Sequence, residues 1–307
     1  MKNGKFLFSF ILSILPYTIC FPQGMPLEKW SEKYRISALG IDEGLPYSFV
    51  EDVIKDSQGF LWTATKGGGV CRYDSYNFII FNREDSIHPI RNNFAKALCE
   101  DGFKRLWIAG ESGLECIDIL TLQPLDIPCN LTQWSILQHE EYSDLHHDRN
   151  GRLWLSSTRG LFCLTFDTKG RITKIHKGTE IKTDGHEAAL HEDGDKLWIG
   201  VSNRIYTINT APPHTVAPYP EIHLPQNADI KIVYRKENDL WIGTTHGLFR
   251  HNLTQNTLKA YHATSTAHSL TQDYITEIAE TTEHRLLIST LRGINVYREQ
   301  TDDFERV

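Results

Sequence analysis

Side chains able to do chemistry recur at corresponding points along this 307-residue chain, and they do not gather into one short motif. Lys66, Arg159, Asn203, His246 and Arg292 each follow a short β-type run, and Tyr47, Asn92, Asn93 and Tyr274 precede such runs. Amides and cations of this kind hydrogen-bond hydroxyl or carboxylate groups, and aromatic rings stack against sugar faces. The set reads as a candidate rim for a saccharide, against the plainer reading that each is a solvated loop residue. Trp134 stands outside these positions and is either a ligand platform or a cover over a sheet edge.

Other chemistry finds little support. The fourteen His are dispersed, and His146-His147 lack the spacing of metal ligands. Gly67-Gly68-Gly69 precedes neither a helix nor a Lys-Ser/Thr pair, so it is no phosphate loop. The acidic pairs Glu140-Glu141 and Asp302-Asp303 read as solvated. No catalytic residue, metal site or cofactor is therefore assigned. A lyase using a His or Tyr base on a charged sugar stays open as an alternative, as does a protein-interaction module.

The elements that must position the rim come from an internal repeat. Asp56-Ser-Gln-Gly59-Phe-Leu-Trp62 returns as Asp101 to Trp107, Asp148 to Trp154, Asp193 to Trp198, Glu237 to Trp241 and Glu283 to Leu287. The period is about 45 residues, as in four-stranded propeller blades. Val50 to Lys55, Phe60 to Ala64, Val70 to Tyr73 and Phe78 to Phe81 are the four strands expected in the first copy, termed a to d. Asp and Gly between strands a and b are turn chemistry. Gly69, Gly113, Gly160, Gly247 and Gly293, with Arg204 in the fourth copy, serve the turn between b and c. The expected fold is all-β: a β-propeller with six blade repeats across residues 25–307. The repeated Trp is expected to pack between blades. The d-to-a and b-to-c connections then share one face, where binding usually resides.

Composition agrees with an ordinary globular chain, 40% hydrophobic and 23% charged. Thirty-two basic and thirty-nine acidic residues leave −7, with no basic block to track a phosphate backbone, so nucleic acid is not an expected partner. Residues 1–24 read as a secretory signal: Lys2 and Lys5, the apolar Phe6 to Leu15, Pro16, then Gln23-Gly24. The alternatives are an uncleaved anchor or lipidation at Cys20, for which Tyr17-Thr18-Ile19 is a poor approach. Export places the chain in the periplasm. Cys71, Cys99, Cys116, Cys129 and Cys163 are odd in number and irregularly spaced, so they read as small buried residues with one optional bridge at most.

The repeats resemble the regulator-propeller repeats in periplasmic sensors of hybrid two-component systems from gut Bacteroidetes. Gly44-Leu45-Pro46, Asp56, Gly59, Leu61-Trp62, Thr65 and Arg72-Tyr73-Asp74 match the family unit in one copy, and Trp241-Ile242-Gly243-Thr244 with Gly247-Leu248 match it again. The resemblance covers roughly residues 34 to 307. It implies a sensor whose ligand is an oligosaccharide released from glycans and whose output is transcription of carbohydrate-utilisation genes. It also implies a homodimer, a membrane helix and kinase domains beyond the residues given; this chain itself is not expected to be an enzyme. Lys104, Asp195, Asn238 and His284 depart from the family by replacing the turn Gly, and Leu287 replaces the sixth Trp. Tyr34 to Leu39 sits where the outer strand of a preceding blade would lie, while Phe304 marks an outer strand for blade six. The expectation is therefore an incomplete seven-bladed ring, with a six-bladed ring as the alternative.

Overall fold

The computed structural model describes residues 10–12, 36–127, 129, 132–157, 159–178, 181, 183, 187–210, 214 and 216–307. Six antiparallel sheets follow one another in chain order, each a meander in which sequence neighbours pair. Blade 1 comprises Val50–Lys55, Leu61–Thr65, Gly69–Tyr73 and Phe78–Phe81. The innermost strands, a, of blades 2 to 6 are Ala95–Glu100, Tyr142–His147, Ala188–Asp193, Ile230–Lys236 and Ile275–Glu280. Each packs against the next around an axis, from blade 1 through to blade 6. No comparable packing joins blade 6 to blade 1 among the described residues, so the described ring is open at that point.

The outermost strand of blade 6 is Asp303–Arg306, with Phe304 buried as the alternation requires. Ile36–Ala38 joins none of the six sheets; it pairs antiparallel with Phe10–Leu12. Apart from Phe10–Leu12, the expected export signal lies outside the described residues. Blade 2 departs from the four-strand expectation, with three strands among the described residues: Ala95–Glu100, Arg105–Gly110 and Gly113–Asp118. Its outer position is held only by the bridge from Ile117 to Pro124. A short helix, Thr132–Leu137, follows and lays Trp134 edge-on against Trp107, with ring centroids 6.5 Å apart.

The repeated Trp residues lie between blades, as expected. Trp62 packs with Leu98 and Leu106 of blade 2, Trp107 with Leu145 and Leu155 of blade 3, and Trp154 with Leu190 and Leu197 of blade 4. Trp198 and Trp241 repeat this against blades 5 and 6. In the first three blades the turn Asp holds the Trp as well. Asp56, Asp101 and Asp148 each accept the indole N–H at 2.8 Å through one carboxylate oxygen. The other oxygen accepts backbone N–H groups of the a–b turn, such as those of Asn150 and Arg152. One carboxylate thus fixes both the turn and the ring that docks the next blade.

Two of the expected turn-Gly replacements need correction. Lys104 and His284 do adopt left-handed backbone, φ 62° and 63°, but in blades 4 and 5 that conformation falls on Gly194 and Glu237, not on Asp195 and Asn238. These turns are shorter. Asp193 pairs with Lys196, and Lys236 with Asp239, leaving two-residue loops, the length that calls for positive φ.

Candidate functional site

The loops between strands b and c are set by the last residue of strand b. Thr65, Ser157, Thr244 and Thr290 each donate a side-chain hydrogen bond to the carbonyl of the Gly that starts strand c. The same oxygens accept the backbone N–H of Gly68, Arg159, His246 and Arg292. Arg159, His246 and Arg292 are therefore equivalent and exposed at one end of the ring. Asn203 stands in the matching loop of blade 4. Lys66 differs. The loop of blade 1 is one residue longer, and Lys66 directly follows strand b, where blade 5 has Thr245 and blade 6 has Leu291.

Several rim groups are already engaged within the fold. Arg159 pairs with Glu140 at 3.1 Å. The His246 ring meets the Thr245 hydroxyl at 2.9 Å. The Asn92 amide bonds to the backbone of Phe94, and Asn93 bonds to Arg83 and Glu84. Trp134 is 8% exposed, which fits a cover more than a platform. Tyr47 lies over the Gly67 turn, and Tyr274 hydrogen-bonds Lys231.

A second set of side chains, not singled out in the sequence, meets at the axis. In blades 1, 2, 3, 5 and 6 the innermost strand carries an irregularity near its start, between Val50 and Asp52, Ala95 and Ala97, Tyr142 and Asp144, Ile230 and Ile232, and Ile275 and Glu277. The extra residues are Glu51, Lys96, Ser143, Lys231 and Thr276; Glu187 precedes the regular strand of blade 4. A bulge leaves its extra residue outside the ladder and re-aims the side chain. Lys96 reaches Glu141 at 2.8 Å and Glu187 at 3.7 Å, and Lys231 reaches Glu187 at 2.9 Å. Lys96 is on blade 2 and Glu187 leads into blade 4. Side chains from non-adjacent blades can meet only across the central channel.

Glu51 is the one charged residue of this ring to which no hydrogen bond or ion pair is found among the described residues. Burial pushes its carboxyl above the usual range; Lys66, Lys96 and Lys231 oppose that, and Glu187 adds to it. Glu187 moves the other way, because hydrogen bonding and charge from Lys231 outweigh its burial penalty. Beside Glu51 the rim is aromatic: Tyr47, Phe49 and Phe94 are 44%, 52% and 44% exposed. The Lys66 ammonium lies 5.5 Å from the centre of the Phe49 ring, and Lys66 bridges to the Phe94 backbone. Acids, ammonium groups and exposed aromatic faces thus converge at one mouth of the channel. Among the described residues no group of three or more His, Cys, Asp or Glu is placed to hold a metal ion. No helix among them is long and apolar enough to cross a membrane.

No family model matches this chain, and no curated protein matches it. Solved structures do. The chain is similar to the extracellular domain of the putative hybrid two-component system BT3049 from B. thetaiotaomicron, with a TM-score of 0.68 and 24% identity over 88% of this chain and 36% of that one. The extracellular domain of BT4673 from the same organism gives 0.63 and 19%, over 82% and 34%. A streptogramin B lyase gives 0.63 and 12%, over 86% and 83%. The chain spans about a third of the length of the two extracellular domains. At these identities the likeness shows the propeller fold.

Proposed function

We propose that this chain is an extracytoplasmic ligand-sensing propeller, which binds a glycan-derived oligosaccharide at the channel mouth and controls carbohydrate-utilisation genes through kinase domains outside these residues. The observation that carries the reading is the mouth itself: Tyr47, Phe49 and Phe94 exposed beside Lys66 and Glu51. Exposed rings at a concave opening present flat apolar faces, and the charged groups beside them both donate and accept hydrogen bonds, which is what a saccharide requires. The fold shared with extracellular domains of two-component systems supports the sensing role.

Calorimetry of residues 25–307 against an oligosaccharide panel tests the reading. Saturable binding without product, weakened by Phe49→Ala and Lys66→Ala, is the expected result. The likeness to a streptogramin B lyase gives the competing outcome a definite form: turnover of a bound saccharide by the isolated chain would replace the sensor with an enzyme. A protein partner and no saccharide would replace it with an interaction module.

A further inference from the structure

The charges at the channel mouth allow the ligand class of the proposed site to be narrowed, an inference that rests on the saccharide reading above. Six charged groups face one another there: Lys66, Lys96 and Lys231 against Glu51, Glu141 and Glu187. Four of the six are committed, Lys96 to Glu141 and Glu187, and Lys231 to Glu187. Lys66 and Glu51 are left over. Each senses the other's charge, yet they form no ion pair; the Lys66 ammonium lies over Phe49 instead. A donor-only group and an acceptor-only group are thus held apart at the edge of an aromatic face.

We propose that the mouth takes the uncharged, hydroxyl-rich end of a saccharide, with Lys66 Nζ donating to one hydroxyl and the Glu51 carboxylate accepting from its neighbour. A hydroxyl both donates and accepts, so neighbouring hydroxyls satisfy both groups at once. A carboxylate or sulfate on the ligand would pair with Lys66 but leave Glu51 facing a like charge. Glu111, whose charge reaches Lys96 from the next rim loop, and the general acidity of the chain make that worse. An amine on the ligand would pair with Glu51 but face three ammonium groups. Glu51 is half-buried, so leaving its carboxylate unserved or beside a like charge is the costly outcome.

The test uses residues 25–307 and three matched sets: neutral hexose oligosaccharides of two to six units, the same chains with the terminal C6 oxidised to a carboxylate, and the same chains with a terminal 2-amino group. The neutral set should bind at least about tenfold more tightly than either charged set, as one unserved charged group implies. Glu51→Gln should weaken the neutral set by about tenfold and bring the carboxylated set level with it, because the like charge is gone. Lys66→Met should weaken the neutral set and favour the amino set. Glu51 carries a burial penalty, so Glu51→Gln should unfold at the same temperature as wild type or a higher one, and lost binding cannot then be lost fold. Tighter binding of either charged set by wild type overturns the neutral assignment while leaving the saccharide site standing. Unchanged neutral affinity in both variants overturns the placement at Lys66 and Glu51. Failure of all three sets to bind overturns the saccharide reading, and this assignment with it.

Discussion

Replacing Trp154 or Trp198 by Phe removes the same atoms from the same place in successive blades, yet the two variants should differ sharply in stability. Both rings are buried between blades, so the smaller phenyl costs each variant a similar amount of packing. The difference lies at the indole nitrogen. Trp154 Nε1 donates to Asp148 at 2.8 Å, and the Asp148 carboxylate also takes Arg152 Nε at 2.7 Å, with Nη2 at 2.6 Å. Trp198 Nε1 is buried and has no acceptor. The shorter turn explains this, since Asp193 is drawn into the ladder opposite Lys196 and its carboxylate turns to Arg235 at 3.4 Å.

Losing a hydrogen bond to a charged acceptor costs about 1.5–3 kcal/mol, and the lower end applies because Arg152 still serves Asp148. Removing an unsatisfied buried donor instead recovers about 1–3 kcal/mol, which offsets much of the packing loss at Trp198. Trp154→Phe should therefore be less stable than Trp198→Phe by about 3 kcal/mol. Asp148→Ala should be worse than Trp154→Phe, at about 3–5 kcal/mol, because it strands the buried Arg152 guanidinium. Urea unfolding followed by far-ultraviolet circular dichroism reads the midpoints without relying on the fluorescence of the altered Trp. Equal losses in the two Trp variants, or a larger loss at Trp198, would refute the claim that the Asp-to-indole bond separates early blades from late ones.

Three further expectations follow from named contacts. Gly113→Ala should prevent folding or greatly reduce expression, because its Cβ would lie 1.8 Å from the Gln138 carbonyl oxygen; Gly151→Ala meets nothing within 4 Å and should cost only the left-handed backbone term of about 1–2 kcal/mol. Burial pushes the Cys71 and Cys163 thiols up to about 12, so iodoacetamide at pH 8 should label neither until urea unfolds the chain, as mass spectrometry would reveal. Burial of Asp302 works against its charge, but hydrogen bonds from Lys259, Tyr261 and Tyr297 bring it down to about 2. Its stabilisation is complete above the ordinary value of 3.8 and is lost as pH falls towards about 2. The stability gap between wild type and Asp302→Asn should therefore close over that interval, and a gap unchanged from pH 5 to pH 2 would refute the assignment.

The propeller was legible because its signals are local and repeated. Asp148 and Gly151 make a turn, Trp154 falls six residues after the Asp, and Ser157 or Thr244 closes the next turn on its Gly. Each needs only neighbours in sequence. Blade 2 was less legible, because Ile119 to Ile127 reads as an apolar, strand-like stretch, yet among the described residues only the bridge from Ile117 to Pro124 forms there. The loop rim was found from its repeat position, but repetition could not show that Arg159 is held by Glu140. The charged ring was missed for a related reason. Glu51, Lys96, Ser143, Glu187, Lys231 and Thr276 lie ten or eleven residues before the Trp or Leu of their blades. Their types differ, so no motif marks them, and the tell-tale is a shared position with unlike chemistry. Only the packing of successive blades around an axis brings Lys96 to Glu187, 91 residues away in sequence.

The two ends of the ring use their carboxylates differently, and this difference bears on where a ligand can act. At the a–b turns, Asp56, Asp101 and Asp148 are consumed by backbone and indole donors, and Glu100 accepts from Ser57 of the neighbouring blade. A ligand there would have to displace bonds that hold blades together. At the opposite end five of the six innermost strands begin with bulges and Glu187 precedes the sixth, so each blade offers the channel one side chain that its own ladder does not need. Asp52 and Asp144, next to those bulges, accept the Leu98 and Leu190 backbone N–H groups of the following blades at 2.8 and 2.9 Å. The blades are therefore tied together just beneath the bulged residues, and Glu51 can engage a ligand without loosening the ring. On that reasoning Asp52→Ala and Glu51→Gln should separate cleanly. The first should lower the unfolding midpoint by leaving the buried Leu98 N–H unserved, a cost of about 1–3 kcal/mol. The second should change ligand affinity and leave the midpoint at or above that of wild type. A Glu51→Gln protein as unstable as Asp52→Ala would mean that the ring at the mouth is part of the scaffold and not a site.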